Sequence, residues 1–242
     1  MDQVDSEAAQ TQLSALGDRP LREVVELFSA GREVPGSGSA NALMSWIAAG
    51  LVASVATKTH STTDLKYLSV KQTALDVDRR ARRLADRIAI LLEEDNVVFG
   101  KVIAIRRETG RLSDPILQDA SLRNEIAALK PATALPLEVA RLSIEVGELA
   151  ITMMDSGFTP ARGESYTALV QAVGAIDGAL YVARLNLRAI RTKAKKLNDR
   201  EFERSWIERR FEEIRRLRLV SRNLRVREAL ARRAESAHER SR

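Results

Sequence analysis

The chain has 242 residues (26.8 kDa), 45% apolar and 30% charged, enough for a substantial core and too apolar for wholesale disorder. Cysteine is absent and the histidines are only His60 and His238. This excludes disulfides, thiolate metal sites, iron–sulfur clusters and a cysteine nucleophile, and no metal is expected. The net charge of +6 is unevenly spread: residues 193–242 carry 17 basic and 9 acidic side chains, the other 192 residues 22 and 24. The main body is therefore close to neutral, and the pI near 9.9 says little about its function. The acidic, polar start (MDQVDSEAAQTQ) is unlike a secretory signal. The longest apolar run, residues 40–56, is broken by Asn41, Ser45 and Ser54 and reads as too short and too mixed to span a bilayer. A soluble cytoplasmic protein with no membrane partner is expected.

In chain order the pattern reads as helix nearly throughout, because alanine, leucine and arginine abound and no stretch alternates as a strand would. Residues 1–18 read as a loose polar leader. Leu21–Ser29 follows as a short helix with Leu21, Val24, Val25 and Phe28 on one face, then a turn over 30–39. From Ser39 to about Lys58 runs a helix of small residues, which let helix backbones approach closely. After the polar break at 60–66 a long amphipathic helix covers about 67–107. A helix near 116–129 is next, and Pro131 and Pro136 frame the start of another over 136–155. A breaker cluster at 156–163 precedes a second small-residue helix, about 164–190. Residues 199–239 form an Arg-rich helix whose apolar stripe is Ile207, Phe211, Ile214, Leu217, Val220 and Leu224. The predicted fold is all-α, a multi-helix bundle with long antiparallel helices and a basic helical extension at its C-terminus. Its expected division is a leader (1–20), a helical domain (21–192) and the extension (193–242).

Four segments carry polar groups of chemical interest. Pro35-Gly36-Ser37-Gly38-Ser39 is a glycine-rich turn before a helix, where several N–H groups converge on an anion or an electron-rich heterocycle. The plainer reading is a tight turn with Ser39 as N-cap. It lacks the lysine of a P-loop and the preceding strand of a dinucleotide fingerprint. In Glu93-Glu94-Asp95-Asn96, Asp95 stands i, i+4 from Leu91 and Phe99 and leans to the apolar side, where burial raises a carboxyl pKa and suits it to proton transfer. The alternative is an ordinary solvated acidic face. Glu164, in Arg162-Gly163-Glu164-Ser165, is also explained by the helix dipole. Arg184 and Asn186 are polar groups within a packed helix and need partners, structural or ligand.

The order of these pieces is informative. The glycine-rich turn opening an Ala-rich helix is followed by the Asp95-x-x-x-Phe99 helix. Next come Leu135-Pro136-Leu137-Glu138-Val139-Ala140 and, from Gly178-Ala179-Leu180, the run to Arg184, Asn186 and Leu187. Over about residues 21–192 this resembles the cyclodeaminase/cyclohydrolase family, the C-terminal domain of formiminotransferase-cyclodeaminase and its free-standing relatives. Lys66-Tyr67 falls where members tend to carry a Lys-Tyr pair. The resemblance implies an all-helical homodimer that binds a tetrahydrofolate derivative as substrate near the glycine-rich turn. Members close 5-formimino-tetrahydrofolate to the 5,10-methenyl form with loss of ammonia, or hydrolyse the methenyl form, so the activity is that of a lyase or a hydrolase. On this resemblance Asp95 and Glu164 are the catalytic carboxylates, and Pro35, Gly36, Ser37, Gly38, Ser39, Lys66, Arg184 and Asn186 bind substrate. Three departures surround the expected site. Ser37 stands where members have glycine, and it is expected to exclude positive-φ conformations. Asn41 replaces a small apolar residue, and Gly163-Glu164 replaces Ser-Asp.

Those departures keep open a diverged member acting on another small molecule, and a non-catalytic helical dimer or scaffold with a basic tail. The tail's charge, with Phe202, Trp206 and Phe211, also suits RNA or an acidic partner. A solvated helix packed through its apolar stripe is the simpler expectation.

Overall fold

The computed structural model of the protein describes residues 15–197 and 204–240, with side chains to residue 232. Its helices are α1 (Leu21–Ser29), α2 (Ser37–Ser61), α3 (Lys71–Thr109), α4 (Pro115–Ser156), α5 (Arg162–Lys196) and α6 (Arg204–Arg240). Short 3-10 segments, Leu16–Asp18, Leu65–Val70 and Thr159–Ala161, serve as connectors, and there is no strand among the described residues. Cross-helix pairs give the topology. Ser39 meets Asp95 and Thr57 meets Asp78, so α2 and α3 are antiparallel. Arg80 with Glu145 and Arg106 with Glu125 set α3 against α4. Lys193 with Glu125 and Asn186 with Ala132 set α4 against α5. The result is an up-down-up-down bundle of α2 to α5, with α6 laid along α5 and α4.

Alanine determines how closely these helices pack. Ala42, Ala48, Ala49 and Ala56 of α2 and Ala168, Ala172, Ala175, Ala179 and Ala183 of α5 are completely buried. Larger side chains, among them Ile88, Leu91, Leu137, Ile151, Leu169 and Leu180, fill the space between the layers. The apolar run of α2 lies in a 25-residue helix, which by length and composition is able to cross a membrane, as is Thr159–Lys196. Half of each apolar window is buried inside the bundle, the ordinary condition of a core helix.

Of the expected leader, residues 1–14 lie outside the described residues. From there the chain is held: Leu16 is buried in the core, and the Gly17 N–H donates to Glu93 Oε1 (2.9 Å). Helix α2 begins at Ser37, not at Ser39, with Gly36 as its cap residue. Helix α3 begins at Lys71, because Asp64 caps the intervening 3-10 turn by accepting the Lys66 N–H. In α6, Ile207, Ile214 and Leu224 are buried and Trp206, Phe211 and Leu217 partly so, whereas Val220 is exposed. Arg225 pairs with Asp177, and Tyr166 donates to Glu228 (3.2 Å). Phe202 lies outside the described residues.

The largest departure from the sequence reading is α4, a single 42-residue helix running through both Pro131 and Pro136. Each proline lacks the N–H that would bond the carbonyl four residues earlier. For Pro131 that carbonyl belongs to Ala127, an exposed residue whose freed oxygen water can serve. For Pro136 it belongs to buried Ala132, and Asn186 of α5 supplies the missing donor, Nδ2 to Ala132 O at 2.7 Å. A donor from a neighbouring helix thus replaces the one the proline removed.

Replacing Asn186 by Leu is expected to leave that carbonyl unsatisfied at a cost of about 1–3 kcal/mol, lowering the melting temperature by several degrees. Adding Pro136→Ala restores an intrahelical N–H and should recover part of the loss. A double mutant no more stable than Asn186→Leu alone, by thermal circular dichroism, would contradict this pairing.

Candidate functional site

The N-terminus of α2 presses on the middle of α3. Ser39 Oγ lies 2.8 Å from Asp95 Oδ2 and 3.0 Å from Asn96 Oδ1, and the Ser39 backbone N–H also donates to the Asp95 carboxylate. A Cβ on Gly38 would sit 2.3 Å from Asp95 Oδ1, so only glycine admits the carboxylate here. The hydroxyl of Ser39 is therefore turned sideways into a side-chain network instead of capping its own helix. Ser37 occupies an ordinary helical position, and the sole positive φ at a glycine among the described residues is at Gly31. The turn therefore does not call on Ser37 for the positive-φ conformation that its side chain is expected to exclude.

Asp95 is half-buried, and burial pushes its pKa above the ordinary carboxylate value; the Ser39 hydroxyl and N–H oppose this and only partly offset it. Ser39 has one hydroxyl proton for two acceptors. With Asp95 protonated, Asp95 donates to Ser39 and Ser39 to the Asn96 carbonyl, so each group is satisfied. With Asp95 ionised, Ser39 donates to it and a turned Asn96 amide can donate to Ser39. The cluster accommodates both protonation states, which an acid/base requires.

Asp95 opens on a cavity of about 280 Å³, close to the lower end for small-molecule sites. Gly36, Ser37 and Gly38 form one wall, Phe99 and Arg106 of α3 another, and Val182, Leu185, Asn186 and Ala189 of α5 a third. Pro35 lies just before this wall and is half-buried. Asn41 donates to Ser37 O (2.7 Å) and takes the space over Gly178, where a Cβ would lie 2.1 Å from its Oδ1. Asn186 thus lines the cavity while bonding Ala132. Arg184 is half-buried outside the cavity wall, without a hydrogen-bond or ion-pair partner among the described residues.

Glu164 and Lys66 are not brought to this cavity within one chain. Glu164 pairs with Lys58 (3.0 Å), roughly 30 Å from Ser39 along α2 by helical rise. Lys58 holds the Glu164 carboxyl below its ordinary pKa. Lys66 pairs with Asp64 and lies 4.8 Å above the Tyr67 ring. Tyr67 has a structural task, since its hydroxyl accepts from Thr159 N (2.8 Å) and donates to Thr159 Oγ1 (3.0 Å). A more open hollow of about 640 Å³ lies at this end between α2 and α3, lined by Thr57, Lys58, Arg82 and Asp86. Its cations are already matched, Lys58 by Glu164 and Arg82 by Asp78. No group of three His, Cys, Asp or Glu among the described residues is arranged to hold a metal ion.

The sequence reading missed Glu125, which is almost wholly buried and pairs with Lys193 and with Arg106 of the cavity wall. Its register was the available signal, because i+4 and i+7 from Glu125 are Leu129 and Ala132, both core residues.

The profile of the formiminotransferase-cyclodeaminase family matches residues 20–202. The chain belongs to that family. No curated protein matches the chain. Among solved structures it resembles the formiminotetrahydrofolate cyclodeaminase of Thermotoga maritima, with a TM-score of 0.61 and 17% identity over 84% of this chain and 96% of that one. At that identity the likeness establishes the shared cyclodeaminase fold.

The raised pKa fixes the sign of a stability effect. The unfolded chain holds this proton less tightly, so folding favours protonated Asp95, and stability is lost as pH rises through the folded-state value. Asp95→Asn mimics the neutral form and should melt higher than the parent at pH 7, with the gap closing as pH falls below the carboxylate range. A variant that melts lower at pH 7 would show that the charged form is the one the fold favours.

Proposed function

We propose that this family member is a cytoplasmic folate-dependent one-carbon enzyme of the cyclodeaminase type, with Asp95 exchanging protons at the N5–N10 bridge of tetrahydrofolate. The carrying observation is the half-buried Asp95 carboxyl, biased to its neutral form and opening on a cavity at the N-terminus of α2. In ring closure N10 attacks the formimino carbon, forming the N10–C bond. The exocyclic C–N bond then breaks. A proton leaves N10, and protons must reach the departing nitrogen for ammonia to leave. Asp95 can take the first and deliver it to the second, while its negative charge offsets the cationic bridge between transfers. In hydrolysis of the methenyl form the same group takes a proton from the attacking water. A rate that falls at high pH favours the acid role in ammonia loss; one that falls at low pH favours the base role in hydrolysis.

The test is 5,10-methenyl-tetrahydrofolate absorbance under turnover in both directions, with Asp95→Asn in parallel. The variant should keep its helicity and lose about 10²- to 10⁴-fold in rate. A folded variant with undiminished activity would remove Asp95 from the chemistry, and a parent inert toward both substrates would remove the folate reading.

We also infer a homodimer. Met44 and Ile47 of α2 and Val170, Tyr181 and Leu185 of α5 are exposed, and Met44 Sδ lies 3.3 Å from the Cβ position of Gly174, so the two helices share one apolar face. A two-fold axis near the middle of α2 would set the Lys58–Glu164 end of one protomer beside the Asp95 end of its partner. This arrangement would give Glu164 access to a catalytic site. Ile47→Glu with Tyr181→Glu should convert a dimer into a monomer by light scattering. A parent chain that is monomeric at micromolar concentration would exclude that role for Glu164.

A further inference from the structure

We propose that Arg106 is the carboxylate anchor of the cavity, holding an anionic group at the end of the substrate remote from Asp95. On the folate reading, on which the identity of that group rests, it is the glutamate carboxylate. Asp95, Phe99, Val102 and Arg106 follow one another at spacings of four, three and four, so they lie along one face of α3. Asp95, Phe99 and Arg106 all line the cavity. Helical side chains lean toward the N-terminus. Arg106 does so, with its guanidinium carbon 5.9 Å from the Phe99 ring centroid.

The guanidinium is held from behind. Its Nε donates to Glu125 Oε1 (2.5 Å), and the other oxygen of that buried carboxylate accepts from Lys193 Nζ (2.6 Å). Glu125 is thus matched by Lys193 as well as by Arg106. Glu33, also on the cavity wall, is taken up by Arg107 at 3.0 and 3.1 Å. Three cations therefore face two carboxylates at this end, leaving one positive charge in excess. The two terminal nitrogens of Arg106 have no partner among the described residues. A guanidinium oriented through Nε with both terminal nitrogens unused matches a carboxylate by a two-pronged contact. In order along the cavity the chain offers a proton-transferring carboxyl, an aromatic ring and a guanidinium. A tetrahydrofolate carries its reacting bridge, its p-aminobenzoyl ring and its glutamate in that same order.

The experiment is calorimetric titration of the parent, Arg106→Gln and Arg106→Lys with three probes: 5-formyl-tetrahydrofolate, 5-formyl-tetrahydropterin (which lacks the glutamate), and p-aminobenzoyl-L-glutamate. Arg106→Lys keeps the charge beside Glu125 and guards against a folding defect. Arg106→Gln should bind both glutamate-bearing probes about tenfold to a hundredfold more weakly, with the tetrahydropterin unaffected. Arg106→Lys should fall in between. Unchanged binding of 5-formyl-tetrahydrofolate to both variants would overturn the anchor and leave the folate reading standing. Arg106-dependent binding of p-aminobenzoyl-L-glutamate, with no binding of the folate, would keep the anchor and overturn the folate reading. Binding of none of the probes to the parent would overturn both.

Discussion

The close approach of the α2 N-terminus to α3 is the constraint on which the site depends. It exists because Gly38 has no side chain where the Asp95 carboxylate lies. Several properties follow from it together. The carboxylate is drawn out of water, which raises its pKa, and it is bonded by a hydroxyl and an N–H that fix its direction. The first turn of α2 becomes a cavity wall. Buried alanines along α2 and α5 hold that contact in place, so a core packed mostly through methyl groups positions a polar cluster at one end of the bundle.

The bundle separates two polar regions along its length. At one end Ser39 is hydrogen-bonded to Asp95 and Asn96, and Arg106 is held by Glu125. At the other, Lys58 and Glu164 are paired, and Tyr67 ties the Thr159 turn to the base of α3. The first region has a group displaced toward neutrality and a guanidinium with unused donors. The second holds paired charges and the Tyr67–Thr159 bonds, together with His60 Nε2 and Ser165 Oγ, which are buried without a hydrogen bond.

Much of this was legible in the sequence, where local pattern decides the outcome. The all-α class, the two small-residue helices and the lean of Asp95 toward the apolar side follow from spacing and side-chain size. The prolines of α4 predict a break because proline acts locally to end helices, and the amide that makes up for Pro136 stands fifty residues away. Ser39 read as an N-cap because its true acceptors belong to another helix. Lys66 and Glu164 join Asp95 through the family resemblance, and within one chain they stand at the opposite end of α2 from it, a separation that motif matching does not reveal. Glu125 shows the converse, since its register placed it in the core while its charge suggested a solvated face.

The pairing of Pro136 with Asn186 bears on how the sequence can drift. The two positions act as a lock: proline on one helix creates a vacancy that an amide on another fills. Loss of the amide alone leaves the Ala132 oxygen without a donor, whereas loss of the proline as well returns an intrahelical one, so the amide is needed only while the proline is present. Because Asn186 also forms part of the cavity wall, an exchange at a buried proline would bear on the shape of that cavity. The wall of a cavity in such a bundle can therefore shift through a substitution at a residue that does not line it.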